Sequence, residues 1–203
     1  MKEFDYSHIK HYKLYNFIKV VFRPFVKLAF KLKIKGLENV PPKGTKYIVA
    51  INHTCALDPI FVACSKNIPP LHFMAKAELF ENPIAAWFMT HMYSFPVRRG
   101  KGDTSAIEYG EKILNEGHVM AICPEGRRIK DKNGVPQRAK AGVAVIVNEV
   151  FAPTLSPDFT SVVPLITVIV PFSGRVICTE FPIVHSAYSF KLPVVPAGMI
   201  ISA

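Results

Sequence analysis

Short apolar runs along the chain alternate with longer segments in which apolar residues recur at helical spacing. Apolar runs bounded by turn residues predict buried strands, and apolar positions three or four residues apart predict amphipathic helices. The predicted strands are 33–37, 46–51, 71–75, 93–97, 118–123, 161–170 and 175–181, and the predicted helices are 58–65, 84–92, 103–116 and 141–150. Strands that alternate with helices in this way indicate an α/β domain.

Capping residues mark several of these boundaries. Asp58 is predicted to be the N-cap of a helix whose first residue is Pro59. Ser105 and Glu108 have the spacing of a capping box, and Gly117 is suited to end the helix that they begin. The last twenty residues are apolar and interrupted by prolines, and their pattern assigns them to no element.

The N-terminal region has a helical pattern of a different kind. One stripe at helical spacing is apolar: Leu14, Phe17, Ile18, Val21, Phe22, Phe25 and Leu28. Residues 6–37 contain eight Lys or Arg and no acid, and Pro24 is predicted to kink or split the helix. Such a segment either packs on the core or lies on a membrane surface. Its aromatic residues and its lack of acids favour an anionic membrane surface.

Composition narrows the class of partner. The chain has 203 residues, of which 50% are hydrophobic, and this suits one domain with its own core. It carries 25 Lys and Arg against 15 Asp and Glu, and the net charge of +10 favours an anionic partner. The aromatic residues lie mostly in apolar runs rather than among Gly and Arg, so we expect no nucleic-acid partner.

The expected location follows from cysteines and apolar runs. The four cysteines form no C-x-x-C pair, so we expect reduced thiols in a cytosolic compartment. No uncharged run reaches the roughly 18 to 20 apolar residues that a spanning helix needs. Charges recur through the N-terminal region, which argues against a signal peptide. We therefore expect a peripheral, monotopic protein on the cytoplasmic face of a membrane.

The stretch "NHTCALD", residues 52–58, places a histidine and an aspartate five residues apart, directly after a predicted strand. Within a regular helix or strand these two side chains would point in different directions, so they can meet only across a turn. A carboxylate on one ring nitrogen of His53 would fix the tautomer and leave the other nitrogen to accept a proton. Taken alone, this spacing arises more often by chance or from helix capping.

Two further blocks begin within predicted strands and place their charged residues after the strand ends: "SFPVRRG" at 94–100 and "CPEGRR" at 123–128. In an open α/β sheet, ligands bind beyond the carboxyl ends of the strands, so the three blocks can share one edge. Arg99 and Arg128 can supply forked donors to a phosphate. Taken alone, each arginine is better explained as a solvated or salt-bridged surface residue.

The residues that precede Arg128 also suit a ligand site. Gly126 allows the backbone to approach a ligand closely. Glu125 can accept a hydrogen bond from a hydroxyl group or orient an arginine.

In this order the three blocks resemble the motifs of the glycerolipid acyltransferase family, best known as lysophosphatidic acid acyltransferases (1-acylglycerol-3-phosphate O-acyltransferases). The family's motifs N-H-x-x-x-x-D, F-P-V-x-R-G and F-P-E-G-T-R are similar to residues 52–58, 95–100 and 123–128. A fourth motif, an apolar stretch around a proline, resembles residues 162–165, and the "AKAG" stretch at 139–142 looks like the family's segment after the third motif. The resemblance extends over residues 30–170.

The resemblance implies transfer of a fatty acyl group from a thioester, acyl-CoA or acyl carrier protein (ACP), to the free hydroxyl of lysophosphatidic acid. The product would be phosphatidic acid, as in phospholipid synthesis. His53 would be the general base and Asp58 would orient it, with direct attack and no acyl-enzyme. The substrate-binding residues that the resemblance implies are Arg99, Glu125, Gly126, Arg128 and Lys140. We expect no metal, because the histidines fit no ligand motif, and no cofactor beyond the thioester co-substrate.

The expected fold is therefore α/β and similar to that of glycerol-3-phosphate acyltransferase. We expect a single acyltransferase domain, residues 33–203, with a mixed, mostly parallel sheet flanked by helices. It would follow an amphipathic membrane-associating helical segment, residues 1–32. The partners would be acyl-CoA or acyl-ACP, lysophosphatidic acid, and an anionic membrane surface contacted through residues 6–37.

The chain departs from the family pattern at two positions of the third motif. Cys123 stands where phenylalanine is usual, and Arg127 stands where threonine is usual and adds charge beside the phosphate site. Other functions for the same fold therefore stay open. They are an acyltransferase for another lysolipid or for glycerol-3-phosphate, a thioesterase or hydrolase in which the same pair activates water, and a non-enzymatic membrane-surface protein.

Overall fold

The fold was obtained as a computed structural model of the full chain. The described residues are 4–34, 37, 40–51, 53, 55–65, 68–98, 102–128, 145–146, 149–150, 165–169, 175–180 and 198–202. The four helices with described bounds are α1 (Lys13–Ala29), α2 (Asp58–Ala63), α3 (Pro83–His91) and α4 (Thr104–Asn115). A 3-10 helix, Ala77–Phe80, precedes α3.

Within the described residues, eight strands form one sheet. They are β1 (Lys33–Ile34), β2 (Tyr47–Ile51), β3 (Leu71–Lys76), β4 (Ser94–Val97), β5 (Val119–Ile122), β6 (Leu165–Ile169), β7 (Arg175–Glu180) and β8 (Gly198–Ser202). Their order is β1-β8-β7-β6-β2-β5-β3-β4. The five strands from β6 to β4 are parallel, and β7, β8 and β1 continue the sheet in antiparallel pairs. The prediction of an α/β fold with a mixed, mostly parallel sheet is confirmed.

The sheet is covered on both faces. Strand β2 is buried along its whole length, and its alternate residues enter two different cores because neighbouring strand residues point to opposite faces. Val49 packs with residues of α1 and α2 on one face, and Ile48 packs with residues of α4 on the other. Because both faces of β2 are buried, residues 47–51 are all apolar and do not alternate with polar residues.

The chain connections place α3 in the same layer as α2. The links from β2 to β3 and from β3 to β4 step across the sheet in one direction, and the link from β4 to β5 steps back. Parallel connections are almost always right-handed, so α2 and α3 cover one face and α4 covers the other. Helix α1 joins the α2 face, where the rings of Phe30 and Phe61 are 5.0 Å apart.

Two capping predictions are wrong. Leu57 is the N-cap of α2, and Asp58 is already helical, because the Asp58 carboxylate turns back toward the preceding turn rather than toward the helix. Helix α4 begins at Thr104, so Ser105 lies inside its first turn. Asp103 caps α4 and accepts the N–H of Ala106.

The predicted split at Pro24 is also absent, since the 17-residue helix α1 contains this proline without interruption. One missing backbone donor costs less than the packing that holds the helix on either side of the proline. That packing comes from Tyr15 and Val26, which are both buried. The core-packed interpretation of this helix is therefore right for a narrow strip, and most of its apolar stripe remains exposed. The boundary between residues 32 and 33 stays a prediction.

Candidate active site

The turn between β2 and α2 is closed by two hydrogen bonds that Cys55 and Asp58 exchange. The Cys55 N–H donates to Oδ2 of Asp58 at 2.7 Å, and the Asp58 N–H donates to the Cys55 carbonyl at 3.3 Å. The carboxylate is thereby fixed beneath the turn and is fully buried. The sequence pattern alone did not identify this role for the Cys55 backbone.

The same carboxylate contacts the histidine that begins the turn. His53 Nδ1 lies 3.1 Å from Oδ2 of Asp58, and the side chains are 19% and 0% exposed. A proton on Nδ1 is donated to the carboxylate, so Nε2 is the nitrogen that remains to accept a proton. The structure thus brings the two residues together across a turn, in an arrangement suited to general-base chemistry.

Glu125 approaches this pair from the neighbouring strand. Ala50 of β2 is in register with Ile122 of β5, and His53 and Glu125 each lie three residues further on. Glu125 is 5% exposed and accepts hydrogen bonds from its own backbone N–H and from that of His53, while its Oε2 has no hydrogen-bond partner. Burial raises the pKa of Glu125, and the nearby Asp58 raises it further, against the lowering effect of those hydrogen bonds and of the His53 ring.

The chain after Glu125 turns tightly. Gly126 has a φ of 66°, a left-handed conformation that favours glycine, and its N–H donates to the Cys123 carbonyl at 2.9 Å. The turn directs the chain outward, so Arg127 and Arg128 are exposed. Arg128 is therefore at the surface of the same edge that holds Glu125.

The second motif follows β4, the last strand of the sheet. The carboxyl end of β4 lies at the same edge of the sheet as the carboxyl end of β2. The two ends are three strands apart, roughly 14 Å at the usual strand spacing. Arg98 donates its backbone N–H to Oδ2 of Asp103 at 2.8 Å, which ties this end of β4 to α4. Arg99 and Lys140 lie outside the described residues, so the structure does not place them.

The described residues offer neither a metal centre nor a membrane-spanning helix. Among these residues, no group of three or more His, Cys, Asp or Glu side chains could hold a metal ion. No helix within the described ranges is long and apolar enough to cross a membrane.

The chain belongs to the acyltransferase family. The model of the family described as Acyltransferase matches residues 31–200, so the prediction that the chain is an acyltransferase is confirmed. One curated relative is the 1-acyl-sn-glycerol-3-phosphate acyltransferase of Bacillus subtilis (strain 168), 29% identical over 66% of this chain and 69% of the relative. Another is the 1-acyl-sn-glycerol-3-phosphate acyltransferase LPAT1, chloroplastic, of Arabidopsis thaliana, 31% identical over 58% of this chain and 35% of the relative.

A solved structure shows the same fold. It is the 1-acyl-sn-glycerophosphate (LPA) acyltransferase PlsC of Thermotoga maritima, which superposes with a TM-score of 0.54 at 21% identity. The match covers 77% of this chain and 58% of that protein. At this identity the likeness concerns the fold, and the chemistry of the present chain is argued from its own residues.

Proposed function

We propose that the chain transfers a fatty acyl group from acyl-CoA or acyl-ACP to the free hydroxyl of 1-acylglycerol-3-phosphate, giving phosphatidic acid. The observation that carries the proposal is the His53–Asp58 pair, 3.1 Å apart at the carboxyl edge of the sheet. The family match supports the class of reaction, and the names of the relatives support this acceptor.

His53 acts as the general base. Nε2 takes the proton of the acceptor hydroxyl while the hydroxyl oxygen attacks the carbonyl carbon of the thioester. A C–O ester bond forms, the C–S bond breaks, and the proton passes from Nε2 to the leaving thiolate. Asp58 holds the ring through Nδ1 and stabilises the imidazolium that exists between the two proton transfers. The attack is direct, so no acyl-enzyme forms.

The acceptor phosphate binds at the same edge. Arg128 supplies planar guanidinium donors that can grip two phosphate oxygens. The family motifs support the same role for Arg99 and, more weakly, for Lys140. Glu125 and Gly126 shape the space between this phosphate and His53.

We further propose that residues 6–37 hold the enzyme on the anionic, cytoplasmic surface of a membrane. Phe17, Phe25 and Leu28 of α1 are exposed, and the segment has eight basic residues and no acid. An exposed apolar stripe with basic flanks is typical of a helix that lies in the membrane interface.

Purified protein incubated with labelled acyl-CoA or acyl-ACP and a panel of lysolipids tests the reaction. We expect labelled phosphatidic acid from lysophosphatidic acid with the native enzyme and none with His53→Ala. Release of free fatty acid at the same rate without acceptor would instead indicate a hydrolase. No turnover with any thioester and acceptor would indicate a membrane-surface protein without activity.

The membrane attachment is tested by replacing exposed residues, because deletion of α1 would also remove buried Tyr15 and Val26 from the core. We expect Phe17→Ser with Phe25→Ser to release the protein from phosphatidylglycerol vesicles. Asn16→Ser, at an exposed polar position of the same helix, is the control. High salt should weaken binding only in part, since screening leaves the apolar contact intact. Unchanged binding of the double variant would assign the stripe another role.

A further inference from the structure

The exposed apolar side chains of the described residues are concentrated in α1, α2, α3 and the 3-10 helix. Thirteen large hydrophobic residues are exposed in the described part of the chain, and only Val145 lies outside α1 with its C-cap, α2, α3 and the 3-10 helix. The other twelve are Phe17, Val20, Val21, Phe22, Phe25, Leu28, Phe30, Ile60, Leu79, Ile84, Trp87 and Phe88. Large contiguous apolar patches on a soluble surface mark contact with a partner or a membrane.

Helix α3 contributes a stripe of its own. Ile84, Trp87 and Phe88 recur at helical spacing and are 78%, 55% and 46% exposed. No residue of α3 is fully buried. Its half-buried side contains Ala85, Ala86 and Met89, so the large side chains of Ile84, Trp87 and Phe88 are left in solvent. The sequence shows the same spacing, which predicts a helix but does not tell which way its apolar side faces.

The stripes of α1 and α3 belong to one surface. Helix α1 packs on the α2 face through Val26. The right-handed connection from β3 to β4 places α3 on that face too, so the exposed residues of both helices point away from the sheet on the same side. Ring contacts connect the two helices. The ring centroid of His91 lies 4.3 Å from that of Trp87 in α3 and 4.5 Å from that of Tyr12, the N-cap of α1.

We infer that α3 is a second membrane contact, with Ile84, Trp87 and Phe88 entering the lipid interface beside α1. The inference rests on the proposed attachment through α1 and extends it to a face built from separate parts of the chain. A lipid bilayer with anionic headgroups is the occupant, because the adjoining α1 has four basic residues and no acid. A tryptophan between apolar neighbours and water also suits the headgroup level.

The exposed face extends close to the His53–Asp58 turn. Ile60, in the first turn of α2, is exposed on this face only two residues after Asp58. A bilayer that covers α1 and α3 therefore reaches the helix that carries the His53–Asp58 turn. A lysolipid could then present its hydroxyl to His53 while its acyl chain stays in the interface.

Trp87 is the only tryptophan of the chain, so its fluorescence reports on α3 alone. The full-length protein is titrated with phosphatidylcholine–phosphatidylglycerol vesicles, with and without brominated phosphatidylcholine. Co-sedimentation measures total binding in the same samples. We expect a blue shift of the Trp87 emission as the protein binds, and stronger quenching by the brominated lipid.

Matched variants separate the two contacts. Ile84→Ser with Phe88→Ser should weaken vesicle partitioning by about tenfold, with far-UV circular dichroism and Tm unchanged because both positions are exposed. Val145→Ser, an exposed apolar position outside the layer, should partition like the native protein.

Three other outcomes would contradict the inference, and each would contradict a different part of it. Vesicle binding without any change in Trp87 emission or quenching would mean that α1 binds alone, and the proposed attachment through α1 would survive. Absence of vesicle binding would remove both the attachment and the inference while leaving the acyltransferase assay unaffected. A dimer in light scattering that Ile84→Ser with Phe88→Ser dissociates would assign the face to a second copy of the chain.

Discussion

The carboxyl group of Glu125 accepts a hydrogen bond from the backbone N–H of His53. The third motif therefore contacts the first one from the neighbouring strand. Because both residues lie three positions beyond a register pair of β2 and β5, this contact depends on the parallel pairing of the two strands.

Replacing Glu125 tests this positioning. Glu125→Gln keeps an oxygen that can accept the His53 N–H, and Glu125→Ala does not. We expect the alanine variant to lower kcat by about 10- to 100-fold through misplacement of the general base, and the glutamine variant to retain much more of it. Steady-state kinetics at saturating acceptor measures the difference. Equal losses of kcat in both variants would show that the charge matters and the backbone contact does not.

Replacing Glu125 should raise the stability of the protein, although it lowers kcat. Burial raises the pKa of this carboxyl above its ordinary value of 4.5, so the folded protein binds the proton more tightly than the unfolded chain. Stability is then lost as pH rises from 4.5 through the folded-state pKa. We expect Glu125→Gln to unfold at a higher temperature than the native protein at pH 7, with the difference shrinking toward pH 4.5. Calorimetry at several pH values measures it, and a constant difference would contradict the assignment.

Asp58 should matter for chemistry more than for helix capping, since it does not cap α2. Asp58→Asn keeps an oxygen for the Cys55 N–H but places an amide donor or a neutral acceptor beside Nδ1 of His53. We expect kcat to fall by about 10²- to 10⁴-fold with the fold retained. Circular dichroism and single-turnover kinetics check this. Near-native kcat in a folded Asp58→Asn protein would remove the dyad from the mechanism.

His72 is expected to limit stability in acid. It is buried at the start of β3, and burial, followed by the adjacent His118 and His11, lowers its pKa to about 3. The unfolded chain binds a proton near pH 6.5, so stability is lost as pH falls from 6.5 toward 3.

His72→Phe removes this group and keeps a ring against Tyr93, 4.8 Å away in the native protein. Urea unfolding between pH 7 and pH 4 should show a smaller decline in the free energy of unfolding, by up to about 1.4 kcal/mol per pH unit. Parallel pH profiles for variant and native protein would show that His72 binds a proton as readily in the folded as in the unfolded state.

Arg128 should determine use of the phosphate-bearing acceptor. Arg128→Lys keeps the charge but loses the planar fork, so KM for lysophosphatidic acid should rise while KM for the thioester moves little. Monoacylglycerol, which lacks the phosphate, should be a poor acceptor for the native enzyme. If the native enzyme acylated monoacylglycerol as readily as lysophosphatidic acid, the phosphate-binding role would fail. Arg127, in place of the family's threonine, would then be the first candidate for a residue that changes the acceptor.

The order of elements could be predicted from the sequence because it depends on local pattern. Apolar runs and helical spacing gave β2, α2, β3, α3, β4, α4 and β5 in the correct order, with ends shifted by one or two residues. The motif that contains His53 and Asp58 was recognisable because its residue types and spacing are themselves local. The final strand, Gly198–Ser202, had no such pattern, and its pairing with β7 and β1 places it in the sheet.

Three features depended on the tertiary structure. Glu125 contacts His53 only because β5 lies next to β2 in the sheet. The sequence of a strand does not show which distant strand it pairs with. Asp58 does not cap α2 because its carboxylate instead contacts the His53 ring and the Cys55 N–H. The apolar side of α3 faces outward because the crossover places the helix with α1 and α2 in a layer whose outer surface nothing else in the described structure covers. Periodicity tells which residues share a face of a helix, and the packing of the whole chain decides what that face meets.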